Sequence, residues 1–247
     1  AVLLGCGPAM AETVSGIVSV EPGGAALAIV SIQSGMATSE AAIAFATSGP
    51  DGRYTATVPA LDVRARASAA GFQSLVFPSA YCLGTCPFAQ GSVIPVASGA
   101  NVTGIDFVMR ALPLATVTGR VTDAPGAFAL PGVAVRATQY LDVVANVQVE
   151  RNTTTDAAGQ YTLQVIAGVP FRIGAFPADG RIAEIFPQAA CFPLCSLTLT
   201  TLGSVLNLVE GSVRSDTDFS LSFPGSASGA VTSTTLGTPI EGAGVAF

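Results

Sequence analysis

The sequence predicts an all-β protein built from tandem antiparallel β-sandwich domains. Three observations carry this. The same phrases return at offsets of 103 to 112 residues, as between Gly16 and Gly119 or Asp106 and Asp218. Apolar and polar residues alternate over short runs, such as Val117-Gly119-Val121, Tyr161-Leu163-Val165 and Phe171-Ile173-Ala175, which puts one face of a strand inward. Gly, Pro, Asp and Asn separate those runs, and no stretch holds a 3.6-residue period over three turns.

The chain opens on "AVLLGCGPAMAETVSG". Ala9 and Ala11 form an A-x-A site, so residues 1–11 read as the end of a secretion signal cut after Ala11. "LLGC" also resembles a lipobox, with Cys6 as the residue that would be acylated. Either reading places the mature chain outside the cytoplasm: extracellular, on the cell surface or in the periplasm.

Residues 12–111 form the first repeat. It opens with "TVSGIVSV", continues through "EPGGAALAIVSIQSG", and reaches "SEAAIAFATSG", where Ile43 and Phe45 alternate as in a strand. "GPDGRYTATV" follows. Its "PDGR" reads as a hairpin turn with Gly52 in the positive-φ position, and Tyr54 comes two residues later. Residues 112–224 repeat the order, with "TVTGRVTD", "LPGVAV" and "DAAGQYTLQV", where Gly159 and Tyr161 stand for Gly52 and Tyr54. "SGANVTGIDFVM" and "EGSVRSDTDFSL" close the two units. Residues 225–247 ("GSASGAVTSTTLGTPIEGAGVAF") begin a third unit with two expected strands. Contact between the first two repeats is expected at the junction near Pro113.

These motifs resemble the carboxypeptidase regulatory-like family of tandem repeats in secreted bacterial proteins. The resemblance rests on Gly119, Val121, Thr122 and Asp123, on Pro131-Gly132, and on Asp156, Gly159, Tyr161 and Gly168. It is strongest in the second repeat; the first lacks a Pro-Gly before its second strand. It implies an Ig-like or transthyretin-like sandwich, a fold also grouped with carbohydrate-binding-like domains, and it brings no shared catalytic residues.

Composition excludes several chemistries. Hydrophobic residues make up 50% of the 247 and charged ones only 11%, against roughly 25% in ordinary soluble proteins. All ten basic residues are Arg, since the chain has no Lys and no His. That removes His-activated nucleophiles, imidazole metal ligands, Schiff-base chemistry and internal Lys–Asn crosslinks. The net charge of −6 speaks against a nucleic-acid partner. The longest apolar run within the body, "AALAIVSI", is eight residues, where a membrane helix needs about 20. No cofactor is expected.

Two Cys-x3-Cys pairs stand at matching places, Cys82/Cys86 and Cys191/Cys195. Along an extended strand such residues lie about 13 Å apart, so a disulfide requires the segment to turn; Gly84 and Pro193 allow that. A zinc site would need both pairs together across the repeats, and a redox role would favour a two-residue spacing. The residues favour local staples, Cys82 with Cys86 and Cys191 with Cys195.

Tyr54 and Tyr161 are expected to pack across the sandwich and bond their hydroxyls to backbone. Tyr81 and Tyr140 are the candidates for exposed ligand contacts. Asp106 and Asp218, each before a Phe, are read as serving strand geometry. Asp216/Asp218 and Asp123/Asp156 are candidate calcium ligands, against the plainer reading of carboxylates that cap turns. "NVT" and "NTT" place glycosylation sequons at Asn101 and Asn152. The sequence thus points to a non-catalytic extracellular repeat module, a spacer or adhesion unit of a larger secreted or surface protein. A carbohydrate-binding module and an accessory region of a secreted peptidase are the alternatives. The partner stays open between a cell-surface glycan and a protein.

Overall fold

The computed structural model describes residues 11–36, 40–84, 86–124, 128–142, 147–191, 195–197, 202–225 and 228–243. Cys6, Ala9 and most of the proposed signal segment lie outside the described residues, as do Pro193 and residues 244–247. The described residues are almost wholly strand and loop, with a single 3₁₀ turn at Phe88–Gln90.

In the first repeat, β1 (Glu12–Val20) lies between β4 (Arg53–Val58) and the short strands β8 (Asn101–Val102) and β9 (Phe107–Met109), and together they form one sheet. The second sheet runs in the order β3 (Ala44–Thr47), β2 (Ile29–Ser34), β5 (Val63–Ser68), β6 (Ser74–Val76), β7 (Ala80–Cys82). Inward residues from both sheets, among them Val14, Val18, Val30, Ile32, Tyr54, Ala65, Leu75 and Phe107, form one buried cluster.

The second repeat has the same plan. Strand β10 (Leu114–Asp123) sits between β13 (Gln160–Ile166) and the pair β17 (Val213–Arg214) and β18 (Phe219–Leu221). Facing it is the order β12 (Val147–Thr154), β11 (Ala134–Asp142), β14 (Phe171–Phe176), β15 (Ala183–Ile185), β16 (Ala189–Cys191). Val117, Val121, Val135, Tyr161, Leu163, Phe171, Ile173 and Phe219 are in its own buried cluster. The alternation in the sequence is visible in β4 and β13, where every second side chain is buried and the others are exposed.

Three expectations are corrected. The "PDGR" and "DAAGQ" turns do hold Gly52 and Gly159 at φ 77° and 71°, but they do not make two-stranded hairpins. Strand β3 pairs with β2 while β4 pairs with β1, and β12 and β13 divide in the same way. Each turn is an arch from one sheet to the other. The pairing is also not wholly antiparallel, because β8 and β9 run parallel to β1, and β17 and β18 parallel to β10. Finally, residues 228–243 hold no strand but one isolated bridge, Thr232 to Pro239, and nearly all of them are exposed. A lone pair of short segments has no second layer against which to bury a face.

Candidate functional site

The most specific local geometry lies along the seam where the last strands of each repeat join the first. Strand β1 pairs with β8 at Thr13 and Val14 and with β9 from Val18 onward. Between these ladders the backbones approach so closely that a Cβ on Gly16 would lie 2.1 Å from the Ile105 carbonyl oxygen. The equivalent Gly119 meets the Thr217 carbonyl at 2.0 Å. Only glycine fits there, which explains why "SG" or "TG" opens each repeat.

The interrupted ladder is completed by side chains. The Ile17 amide donates to Asp106 Oδ1 at 2.8 Å, and the Arg120 amide donates to Asp218 Oδ1 at 2.7 Å. From inside each core, the Tyr54 hydroxyl donates to the Ile105 carbonyl (2.7 Å) and the Tyr161 hydroxyl to the Thr217 carbonyl (2.6 Å). Burial, reinforced by the neighbouring Asp106 or Asp218, pushes both phenol pKa values far above their ordinary range. These tyrosines hold the seam closed and are almost fully buried, with only the edge of Tyr161 reaching a surface cleft.

The cysteine pairs are closed locally. Cys82 and Cys86 are 5.4 Å apart between Cα atoms with sulfurs at 2.15 Å; Cys191 and Cys195 are 5.2 Å apart with sulfurs at 2.27 Å. Each stapled loop folds onto the outer face of its five-stranded sheet, but by different anchors. In the first, Arg66 reaches the Cys86 carbonyl (2.8 Å) and lies 4.4 Å from the centre of the Phe88 ring, while Glu40 accepts from the Phe88 amide. In the second, Leu197 takes the place of Phe88, packing with Ile185 and Cys191 against Phe176, and the Tyr140 hydroxyl donates to the Leu197 carbonyl.

Tyr81 and Tyr140 are therefore half-buried and tied down. Tyr81 donates to the Val108 carbonyl at 2.6 Å, and the Arg110 guanidinium lies 4.5 Å from its ring centre. The registers place Ala190, not a tyrosine, at the position that Tyr81 holds in the first repeat. The two rings do not form a matched pair. The candidate calcium ligands are likewise occupied within the fold. Asp123 accepts from the Phe128 amide, Asp156 from the Ala158 and Gln160 amides, Asp218 from Arg120, and Asp216 pairs with Arg214. Among the described residues no cluster of three or more acidic or cysteine side chains could hold a metal.

Two surface clefts were not legible in the sequence. A polar cleft of about 660 Å³ in the second repeat is lined by Arg120, Thr153, Asp156, Gln160, Ser215 and Asp218. A second, of about 500 Å³, lies between the repeats. There the adjoining ends of β11 and β12, with Leu141, Val147 and Val149, face Phe72, Leu83 and Gly84 of the first repeat. A Cβ on Gly84 would come within 2.6 Å of Leu141 Cβ. The repeats thus meet at the first staple as well as near Pro113, the place where most contact is expected. No helix among the described residues is long and apolar enough to cross a membrane.

No family model matches the chain, and no curated protein matches it. Solved structures give distant likenesses. A streptococcal ancillary pilin is 12% identical at a TM-score of 0.45, with 84% of this chain and 64% of that one covered. The minor pilin of Streptococcus agalactiae is 9% identical at 0.45, over 89% and 99% of the two chains. The Bacillus anthracis TIE protein is 10% identical at 0.32; the match covers 86% of this chain but only 34% of that protein's length. Superpositions this loose carry no argument about function; the all-β sandwich architecture stands on the strand pairing itself.

Proposed function

We propose that the chain is a non-catalytic extracellular module, in which repeats of the carboxypeptidase regulatory-like type serve as spacer or adhesion units of a larger secreted or surface protein. In this reading residues 12–111 and 112–224 are domains, and 225–247 open a third. One observation carries the proposal. Each repeat closes its own buried cluster with the same glycine, tyrosine and aspartate, and the second sets the ends of β11 and β12 against the stapled loop of the first. Units that are complete in themselves and touch end to end transmit length and orientation without needing a reaction centre. The two local disulfides suit an oxidising compartment.

Pulling the intact chain from its ends tests this. Two separate unfolding events, each releasing about 300 Å of chain at ~3.5 Å per residue, are expected. One event releasing the whole length at once would contradict the reading.

A carbohydrate-binding reading has one observation in its favour, the polar cleft beside Arg120 and Asp156. Glycan-array binding that disappears in Arg120→Ala would move the assignment to that cleft. Binding that disappears in Tyr81→Ala or Tyr140→Ala would move it to those tyrosines.

A further inference from the structure

We propose that the first repeat carries a self-association surface, and that a second copy of this chain pairs with it edge to edge along β3. Strand β3 is the outer strand of its five-stranded sheet, and no described segment pairs with its free edge. Its outward side chains are Phe45 and Thr47, with Ile43 just before the strand on the same face. Ile43 is 45% and Phe45 68% exposed, and across the register Ile29 is 51% exposed, with Leu27 beside it at 70%. Leu27, Ile29 and Thr47 line one shallow surface, and Phe45 and Ile43 continue from Thr47 at every second position on the same face, so these residues form a strip rather than scattered positions.

The second repeat serves as an internal control. Matching the registers of β2–β3 and β11–β12 puts Ala134 at the place of Ile29, Asn152 at that of Phe45 and Glu150 at that of Ile43. The same sandwich closes with polar residues there, so its packing does not require the apolar strip. An open edge flanked by uncovered apolar side chains is a template for another strand. In the second repeat Glu150 and Asn152 blunt that template.

Two features favour a like partner. The strip itself carries no charge, so two acidic copies of net charge −6 meet there without setting like charges opposite one another. It also adjoins a surface already used for contact between repeats, since Ser68 borders both the strip and the cleft that receives the ends of β11 and β12. Antiparallel pairing of β3 with β3 would join two five-stranded sheets into one and bring both strips onto a single face.

Sedimentation velocity of the intact chain at concentrations up to about 1 mM tests this, together with amide exchange. A concentration-dependent dimer is expected, with exchange at residues 43–47 slowing as it forms. Phe45→Glu should weaken the dimer by about tenfold or more while leaving the melting temperature of the monomer unchanged. Val209→Glu, which alters an exposed apolar residue (76%) in the second repeat, should leave the dimer intact. A chain that stays monomeric throughout, a dimer indifferent to Phe45→Glu, or exchange at 43–47 that ignores concentration would each overturn the proposal. If Phe45→Glu does not fold, the exchange result on the unaltered chain decides.

Discussion

Where the first repeat buries Leu75 against β5, the register of the second puts Glu184 against β14, almost as deeply. Arg66, which clamps the first stapled loop, gives way to Gly174, and Ile17 to Arg120. Other positions do not change between the repeats. Gly16 and Gly119, Tyr54 and Tyr161, Asp106 and Asp218, Phe107 and Phe219 hold the same places with the same partners. Among these, the glycines, tyrosines and aspartates stand where a backbone passes a backbone at the seam. Those that differ pack side chain on side chain or face solvent, where another shape or polarity can be accommodated.

Breaking the shared seam should cost most. Gly119→Ala and Gly16→Ala each push a methyl group into a carbonyl oxygen, and the strands must part to admit it. We expect a loss of about 3 kcal/mol or more, seen as a fall of roughly 12 °C or more in the melting transition of the affected repeat.

Tyr161→Phe and Tyr54→Phe come next. Each leaves a buried carbonyl without its phenol donor, at about 1–3 kcal/mol. The tyrosines also set an alkaline limit. Their folded pKa values are raised by burial above the ordinary 10.0, so their contribution is complete below that value and declines as pH rises above it. Alkaline melting curves of the double Phe variant should lack this decline.

Reduction of the disulfides should lower stability by about 2 kcal/mol per loop and loosen residues 77–88 and 186–197 while both cores persist. Melting with and without reductant, followed by amide exchange, measures it. Arg66 and Glu40 should still hold the first loop at Cys86 and Phe88 once its staple is open.

The smallest effect belongs to Glu184. Burial raises its pKa, opposed by the backbone amides of Ser220 and Gln188, and among the described residues its Oε1 has no close hydrogen-bond partner. A raised acid is least costly when protonated, so its contribution is most favourable at low pH and declines as pH rises through the folded value. Glu184→Gln should remove that decline and leave the second repeat about 1 kcal/mol more stable near neutrality. The first repeat, with Leu75 there, should show no such component.

Much of this organisation was legible in the sequence because it is local or repeated. Gly52 and Gly159 announce a positive φ, and a Tyr two residues on announces a buried ring. What a turn signal reports is backbone conformation, not which sheet the next strand joins, so the arches looked like hairpins. Leu141 against Gly84 was hidden because a strand end bears no mark of the surface it will meet. Tyr81 looked available because the sequence does not show Arg110 lying over it, 29 residues further on. Glu184, in the short run "AEI", gave no sign that it replaces a core leucine.

If each repeat closes its own core through its own seam, damage to one seam stays within its repeat. Amide exchange on the intact Gly119→Ala chain measures this. Protection should fall in the strands between Leu114 and Leu221 while Val14, Val30, Ala65 and Phe107 keep theirs. Loss of protection across both repeats together would contradict it.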